Sequence, residues 1–500
     1  MSVPKIVIND ITKSFKDFYH DSLKAGNAIA NKTKLNDVVV ISKKTSFDQI
    51  EAYIGAILYK RISAIIPHPS KKVFQNEFVE KMQKIDSACS PTLCIADDKH
   101  KDVYDLWDTI TDFSDENQAP IPDAPKKDDV AIIQLSSGTT GLPKVIKITH
   151  GSLLEQCCEY ANVIDLGPDD VVVSWLPLYH DMGLIACFWM PLLTGTSFVH
   201  IDPFSWLSRP TELFEMIEKH KGTHIWMPNF AFSYMAKRCK KSTNDLSSVK
   251  EWISCSEMTH ENDMMSFYNT FKPLGVTEKS LSICYAMAEN VFAVSHCNGL
   301  ISKNDTLCCG KFIPSTSVII MDGEKLITRP CRLGREDIKN IPDEDLIKDI
   351  GEVYIKSSYL AENLPVNKYG YYNTGDMGFM HKDGLYIVGR SDDMIISYGK
   401  NIFPYNIEQY ISNMKGIIPG RVACFGVHNE GKGTQDIFVV AESSETDTKQ
   451  LTNDIIKLVL KEFEILPICK VVDKNYIIKT SSGKINRNKT RTKTLNDKNG

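Results

Sequence analysis

Short β-rich apolar runs alternate with longer amphipathic segments over most of the first 390 residues, and few folds are open to a chain built this way. "DVVVIS" (37–42), "DVVVSWLPL" (170–178), "GTHIWMP" (222–228) and "GEVYIKS" (351–357) read as strands. Between them, "RPTELFEMIEKHK" (209–221) places Leu213, Met216 and Ile217 on one helical face and charges on the other, with Thr211 near its start. Alternation of this kind stacks as layers around mixed or parallel sheets, so the fold class is α/β. Near Asp383 the pattern changes: "DGLYIVGRSDDMIISYGKNIFPYNIE" reads as two short strands around a polar joint, then a Pro-initiated helix. Beyond it, "RVACFGV" and "DIFVVAE" read as strands and "LTNDIIKLVLKEF" as a helix. At 500 residues the chain is too long for one core. The expected division is a large N-terminal domain of layered sheets and helices, 1–389, and a small C-terminal α/β domain, 390–500. The charged, Pro-broken stretch 331–350 is expected to be a surface excursion, and the polar end 488–500 a frayed tail.

Charge narrows the partners. A net charge of −5 gives no basic excess for nucleic acid. Fourteen cysteines are scattered through a long chain whose start, "MSVPKIVINDITKSF", lacks the apolar core of a secretory signal, so reduced thiols and a cytoplasmic location are expected. Cys157–Cys158 and Cys308–Cys309 are adjacent pairs, which is not the C-x-x-C spacing of a metal or redox site. The longest apolar stretch, Leu184–Ile201, is broken by Pro191 and Gly195 and is polar in its second half; it reads as a buried helix followed by a strand, not a membrane span.

One loop carries chemistry on its face. "LSSGTTGLPK" (135–144) follows "DDVAIIQ", whose Val130–Ile133 run reads as a buried strand. Gly138 and Gly141 allow positive φ and free backbone N–H groups to point inward. Ser136, Ser137, Thr139 and Thr140 add hydroxyls and Lys144 adds a charge: the parts of a phosphate cradle, although a hairpin turn has the same composition. The loop is not a Walker A sequence, because Lys144 follows Pro143 and precedes Val145.

With three further stretches in order, "YAMAE" (285–289), "YNTGDMGFMHKDGLYIVGRSDD" (372–393) and "KTSSGKINR" (479–487), the chain resembles the adenylate-forming enzymes: acyl-CoA synthetases, luciferases and peptide-synthetase adenylation domains. The resemblance covers nearly the whole chain. It implies that a carboxylate attacks the α-phosphate of ATP, giving acyl-AMP and pyrophosphate. It further implies that Ser136, Ser137, Gly138, Thr139, Thr140, Gly141 and Lys144 orient the triphosphate, and that Glu289 holds a Mg²⁺ on it. Ser256, Glu257, Tyr285, Ala286 and Met287 would line the adenine side, with Asp376 and Arg390 on the ribose. Lys484 would be carried into the site by a mobile small domain turning about a hinge at Asp392, to bridge phosphate and carboxylate.

"SWLPLYHDMGLI" (174–185), "MPNFAFSYMAKRC" (227–239), "LCCGK" (307–311) and "GKNIFPYNIE" (399–408) resemble the fatty acyl-AMP ligases, which pass the acyl group to the phosphopantetheine thiol of an acyl carrier protein. On that likeness His180 lies beside the substrate carboxylate, and Trp175, Trp226 and Phe230 line an acyl pocket. Acyl- or aryl-CoA synthesis is the alternative, as is amino-acid adenylation, for which Asp181 lies near the place of an ammonium-binding acid. The chain departs from the family in "SCSEM" (254–258), with Cys255 and Met258 in its adenine loop, and in Ala286, where glycine is usual.

Overall fold

The computed structural model describes residues 4–69, 75–98, 104–114, 117–137, 143–303, 306–328, 350–398, 400–445, 447–480 and 483–497. Of the sequence expectations, the loop residues Gly138, Thr139, Thr140 and Gly141, the side chains of Ser136 and Ser137, and the excursion at 331–349 lie outside them.

Among the described residues a fifteen-stranded sheet forms the largest element. Its centre is parallel: Ser197–His200, Val171–Ser174, His224–Met227, Glu251–Cys255 and Leu281–Ala286 lie side by side in that order. Such strands are covered on both faces, which is why "HIWM" and "SFVH" are buried throughout. From Ala293–Asn298 onward the pairing turns antiparallel and includes the hairpin of Tyr372–His381 with Gly384–Arg390, beyond which Gly351–Ser357, Thr316–Asp322 and Lys325–Leu326 complete that side. A second sheet of six strands carries Val38–Ser42, Ile62–Ile65 and Leu93–Ala96 in parallel, and at its edge the antiparallel hairpin of Val130–Ser137 with Pro143–Thr149. In that hairpin Ser136 pairs with Lys144, which brings the two ends of the 135–144 stretch together.

The helices follow from local signals. Thr149 ends the hairpin and caps helix His150–Val163 by accepting from Ser152 N–H at 3.1 Å. Thr211–His220 buries Leu213, Met216 and Ile217 as its periodicity requires, with Phe214 beside them. The apolar stretch after Asp181 is a π-helix, Met182–Trp189, running into Met190–Thr194, stopped by Gly195 at φ +70° and followed by strand Ser197–His200. No helix among the described residues is long and apolar enough to cross a membrane.

Past residue 394 a separate apolar cluster assembles from Ile395, Ile402, Ile407, Val422, Val439 and Ile455. It lies between helices Pro404–Ser412 and Thr448–Phe463 and the sheet of Ile417–Asn429, Thr434–Ser443 and Ile468–Val472. The tail corrects an expectation. Residues 488–496 are not frayed but belong to helix Arg487–Asn496. Polar composition hides its anchoring: Thr490 and Thr494 are buried, Asn486 caps it through Lys489 N–H, and Lys493 donates to the Tyr476 carbonyl at 3.0 Å.

Candidate active site

The parallel strands end at one edge, and the sequence leaving each carboxyl end supplies the polar groups: Trp175–His180, Pro228–Phe230, Ser256–Glu257 and Met287–Glu289. Open α/β sheets bind ligands outside these ends, where backbone is free of ladder bonds. Three clusters stand there.

In the first, Lys144 Nζ donates to Glu289 Oε1 and to the Tyr372 hydroxyl, each at 2.7 Å, and lies 4.9 Å from the Tyr372 ring centre. Lys144 is 37% exposed and Glu289 14%, so this pair stands at the wall of an open site, not in the core. Burial works against the Lys144 charge, but Glu289 and Tyr372 outweigh it and hold its pKa above the ordinary value. Glu289 is aimed by an unusual turn: Val291 adopts φ +61°, closed by Phe292 N–H to the Asn290 carbonyl at 2.6 Å. Gln156 and Asn290 brace that turn through the backbone of Ala293, and Ala361 N–H donates to the Glu289 carbonyl at 2.8 Å.

The second cluster is built on the hairpin of Tyr372–His381 with Gly384–Arg390, where Asp376 and Arg390 are direct cross-strand partners. Asp376, 8% exposed, accepts from the Tyr285 hydroxyl through Oδ2 and from Arg390 at 3.4 Å through Oδ1. Burial pushes its carboxyl above the usual range, while Arg390, Tyr285 and Lys484 pull it back. Gly375 holds φ +74°, and an added methyl would lie 2.8 Å from the Arg390 guanidinium, so a side chain there would displace the arginine.

The third cluster gathers around Lys484. Its charge acts on Asp181, Glu257 and Asp376 together and works to lower the pKa of each. His180 Nδ1 lies 2.6 Å from Asp181 Oδ1, which also accepts from Met182 N–H at 2.8 Å at the start of the π-helix. Burial opposes ionisation of Asp181, yet His180 and Lys484 outweigh it and its pKa falls below the ordinary value. Glu257 goes the other way: burial raises its pKa, despite the Phe230 N–H bond of 2.7 Å and the two lysines Lys484 and Lys479. Gly183 lets the π-helix sit against the Leu176 and Pro177 carbonyls, where a methyl group would collide, and so fixes the segment that presents His180.

The other residues singled out from sequence are placed less centrally. Trp175 stacks on Trp206 with ring centres 3.5 Å apart and meets Phe230 edge-on at 6.4 Å. Trp226 is fully buried between Tyr160 and His224, inside the main core. Ser256 takes φ +69°, and Met287 and Tyr285 pack against the apolar cluster that holds Leu385 and Tyr386. Ala286 ends its strand at a register shift opposite Ala293. Asp392 acts on Arg390 by charge, and its neighbour Asp393 pairs with Arg487 at 2.7 Å. Three participants were missed: Tyr372, Val291 and Lys479. Tyr372 opens the quoted "YNTGD" motif, and its position there was the available signal.

The AMP-binding enzyme family matches residues 3–362 of the chain. A medium-chain-fatty-acid–[acyl-carrier-protein] ligase, JamA of Moorena producens, is 26% identical over 405 residues, which cover 74% of this chain and 68% of that protein. Among solved structures, the fatty acyl-adenylate ligases from E. coli and L. pneumophila align with a TM-score of 0.84 at 21% identity, over all of this chain (100%) and 96% of that one. McyG, an adenylation–carrier structure complexed with phenylalanyl-adenylate, aligns at 0.84 and 23% identity over 99% of this chain and 80% of that one. Those two likenesses establish the adenylation fold, and the family match, which spans well over half of the residues, carries the rest. The chain belongs to the AMP-binding enzyme family, as an ATP-using, adenylate-forming ligase.

Proposed function

We propose that the chain activates a fatty acid to acyl-AMP and passes the acyl group to the phosphopantetheine thiol of an acyl carrier protein. The observation that carries the activation step is Lys484, whose charge falls at once on Asp181 beside His180 and on Asp376 beside Arg390. A cation whose charge reaches both the group that would meet the acid and the group that would meet the sugar suits the negative charge that builds during in-line attack on the α-phosphate. Lys144 and the loop before it orient the triphosphate, and Asp376 with Arg390 accepts and donates to the ribose. Tyr285, Ala286 and Met287, with Ser256 and Glu257, form the adenine wall. His180 meets the substrate carboxylate, and Trp175 and Phe230 bound the acyl side.

Magnesium fits the donor set here. A single carboxylate, Glu289, stands beside a lysine at the phosphate end, and Mg²⁺ favours one or two carboxylates plus substrate oxygens. When bound it would neutralise phosphate charge, held by Glu289. The parts 1–389 and 390–500 would turn about Asp392 between half-reactions, so that one site serves both. The carrier protein as acceptor, and the cytoplasm as location, rest on the acyl-carrier-protein ligases among the relatives and on the lack of an apolar spanning helix among the described residues.

The test is ATP–pyrophosphate exchange across fatty, aryl and amino acids, then mass spectrometry of products with CoA or a phosphopantetheinylated carrier protein. Fatty-acid-dependent exchange with label passing to the carrier is expected; label passing to CoA overturns the acceptor. Exchange with amino acids alone would overturn the substrate; Asp181, already bonded to His180 and Met182 N–H, argues against its serving an ammonium. Lys484→Ala should lose roughly 100- to 1000-fold in exchange, about 3–4 kcal/mol of transition-state stabilisation, while still binding ATP. Near-wild-type exchange in that variant would end the assignment of Lys484.

A further inference from the structure

The segment that carries Lys484 also meets the larger part of the chain at Phe230. Lys479 and Ile485 are bridged as antiparallel partners, Thr480 N–H donates to the Lys484 carbonyl at 2.8 Å, and Gly483 N–H to the Thr480 carbonyl at 2.9 Å. The arms of the turn are therefore tied, and whatever fixes Lys479 fixes Lys484. Across from it stands Phe230, in the first turn of helix Asn229–Arg238. Its ring centre is 5.8 Å from Lys479 Nζ, and its edge would lie 3.6 Å from a methyl group at Gly483. The Phe230 N–H binds Glu257 at 2.7 Å, and Glu257 faces Lys479 as well as Lys484. On the other side Glu442, engaged by Ile477 N–H at 2.8 Å and by Arg421 at 3.5 Å, is the second carboxylate whose charge reaches Lys479.

We propose that Lys479 is a positioning residue: with Phe230 and Glu257 it forms a latch that seats the bridged Lys479–Ile485 pair and so aims Lys484 for acid activation. This rests on the reading of Lys484 given above. The charges facing Lys479 are Arg421, Glu257 and Glu442; burial and Arg421 push its pKa down to about 8, while the two carboxylates hold it up. A latch made by an ammonium in that setting weakens as pH rises past about 8.

The experiment separates the half-reactions in the full chain. Lys479→Met keeps the apolar stem and removes the charge; Lys479→Arg keeps a charge that does not titrate in the working range. Pyrophosphate exchange in Lys479→Met should fall roughly 10- to 100-fold in kcat with the ATP KM within about twofold, the scale of a misaligned catalytic group. Transfer from synthetic acyl-AMP to the carrier thiol should be unchanged. Lys479→Arg should restore most of the exchange and move its alkaline limb to higher pH. Hydrogen exchange gives a readout independent of catalysis: Lys479→Met should lose amide protection at 228–233 and 479–486 together. Full exchange activity in Lys479→Met, or equal loss in both half-reactions with no rescue by arginine, would overturn the latch. If the wild-type chain shows no pyrophosphate exchange but the two segments still lose protection together, the activation reading fails and the latch stands.

Discussion

Replacing Gly375 with alanine places a methyl group against the Arg390 guanidinium, and the consequence can be worked from two separate terms. The first is backbone: at φ +74° an L-residue pays about 1–2 kcal/mol, offset by about 0.4–1 kcal/mol because alanine restricts the unfolded chain. The second is the arginine. A methyl 2.8 Å from Nη2 cannot be tolerated, and since the contact is the far end of a flexible side chain, Arg390 swings away instead of the backbone shifting. Asp376 then keeps Tyr285, its backbone surroundings and the charge of Lys484. A hydrogen bond between charged groups is worth about 1.5–3 kcal/mol when buried, but Arg390 is 46% exposed, so about 1 kcal/mol is the reasonable share. The expected destabilisation is about 2 kcal/mol in urea unfolding, of which about 1 kcal/mol should vanish when the same change is made in an Arg390→Ala background. Function follows the second term. Burial already holds the Asp376 carboxyl above the usual range, and loss of Arg390 removes a cause that pulls it down. The acid limb of the ATP KM profile should therefore move to higher pH in Gly375→Ala and by the same amount in Arg390→Ala. A double variant whose stability loss equals the sum of the singles, or a Gly375→Ala enzyme with an unmoved acid limb, would refute the steric argument.

Gly183→Ala should destabilise the chain by about 1–3 kcal/mol and depress acid activation, because its methyl meets two backbone carbonyls that cannot step aside; thermal unfolding and pyrophosphate exchange measure both. His200 predicts an acid sensitivity. Burial pushes its pKa from 6.5 down to about 4, so between those values the unfolded chain binds a proton that the native chain refuses, and stability falls as pH drops. The contribution is about 2.5 kcal/mol by pH 4.5, and His200→Gln should flatten the pH dependence of urea unfolding by that amount; an equally steep profile would show that other groups carry it.

How much of this was legible in the sequence depended on the distance over which each residue is specified. Helix Thr211–His220 and the Pro-initiated helix Pro404–Ser412 were read from periodicity and caps, because burial of Leu213 or Ile407 is decided within a few turns. The tail helix was not, since it buries threonines and is tied down by Tyr476, whose carbonyl accepts from Lys493 and whose hydroxyl donates to Asp497 at the helix end, contacts invisible to a hydropathy pattern. The π-helix was not either: nothing in "MGLIACFW" distinguishes it from an α-helix until Gly183 is seen lying on the Pro177 carbonyl.

The site divides along the same line. Asp376 and Arg390, paired across one hairpin, and Lys484, outside any helix or strand, stood out as polar residues in a motif that core packing does not call for. The groups that hold them sit elsewhere in the chain, in runs that a core would also explain. Gln156 reads as an ordinary helix residue, yet its side chain accepts from Ala293 N–H 137 positions away. Val291 is stranger still: a β-branched residue at φ +61° costs of order 1–3 kcal/mol, and no local sequence preference would put it there. The strain persists because Gln156, Asn290 and the Ser357 hydroxyl bond every face of the turn, and the return on it is the direction of Glu289 toward Lys144. A motif records which side chain does the chemistry; the turn that points it is written in three distant segments, and only the fold brings those together.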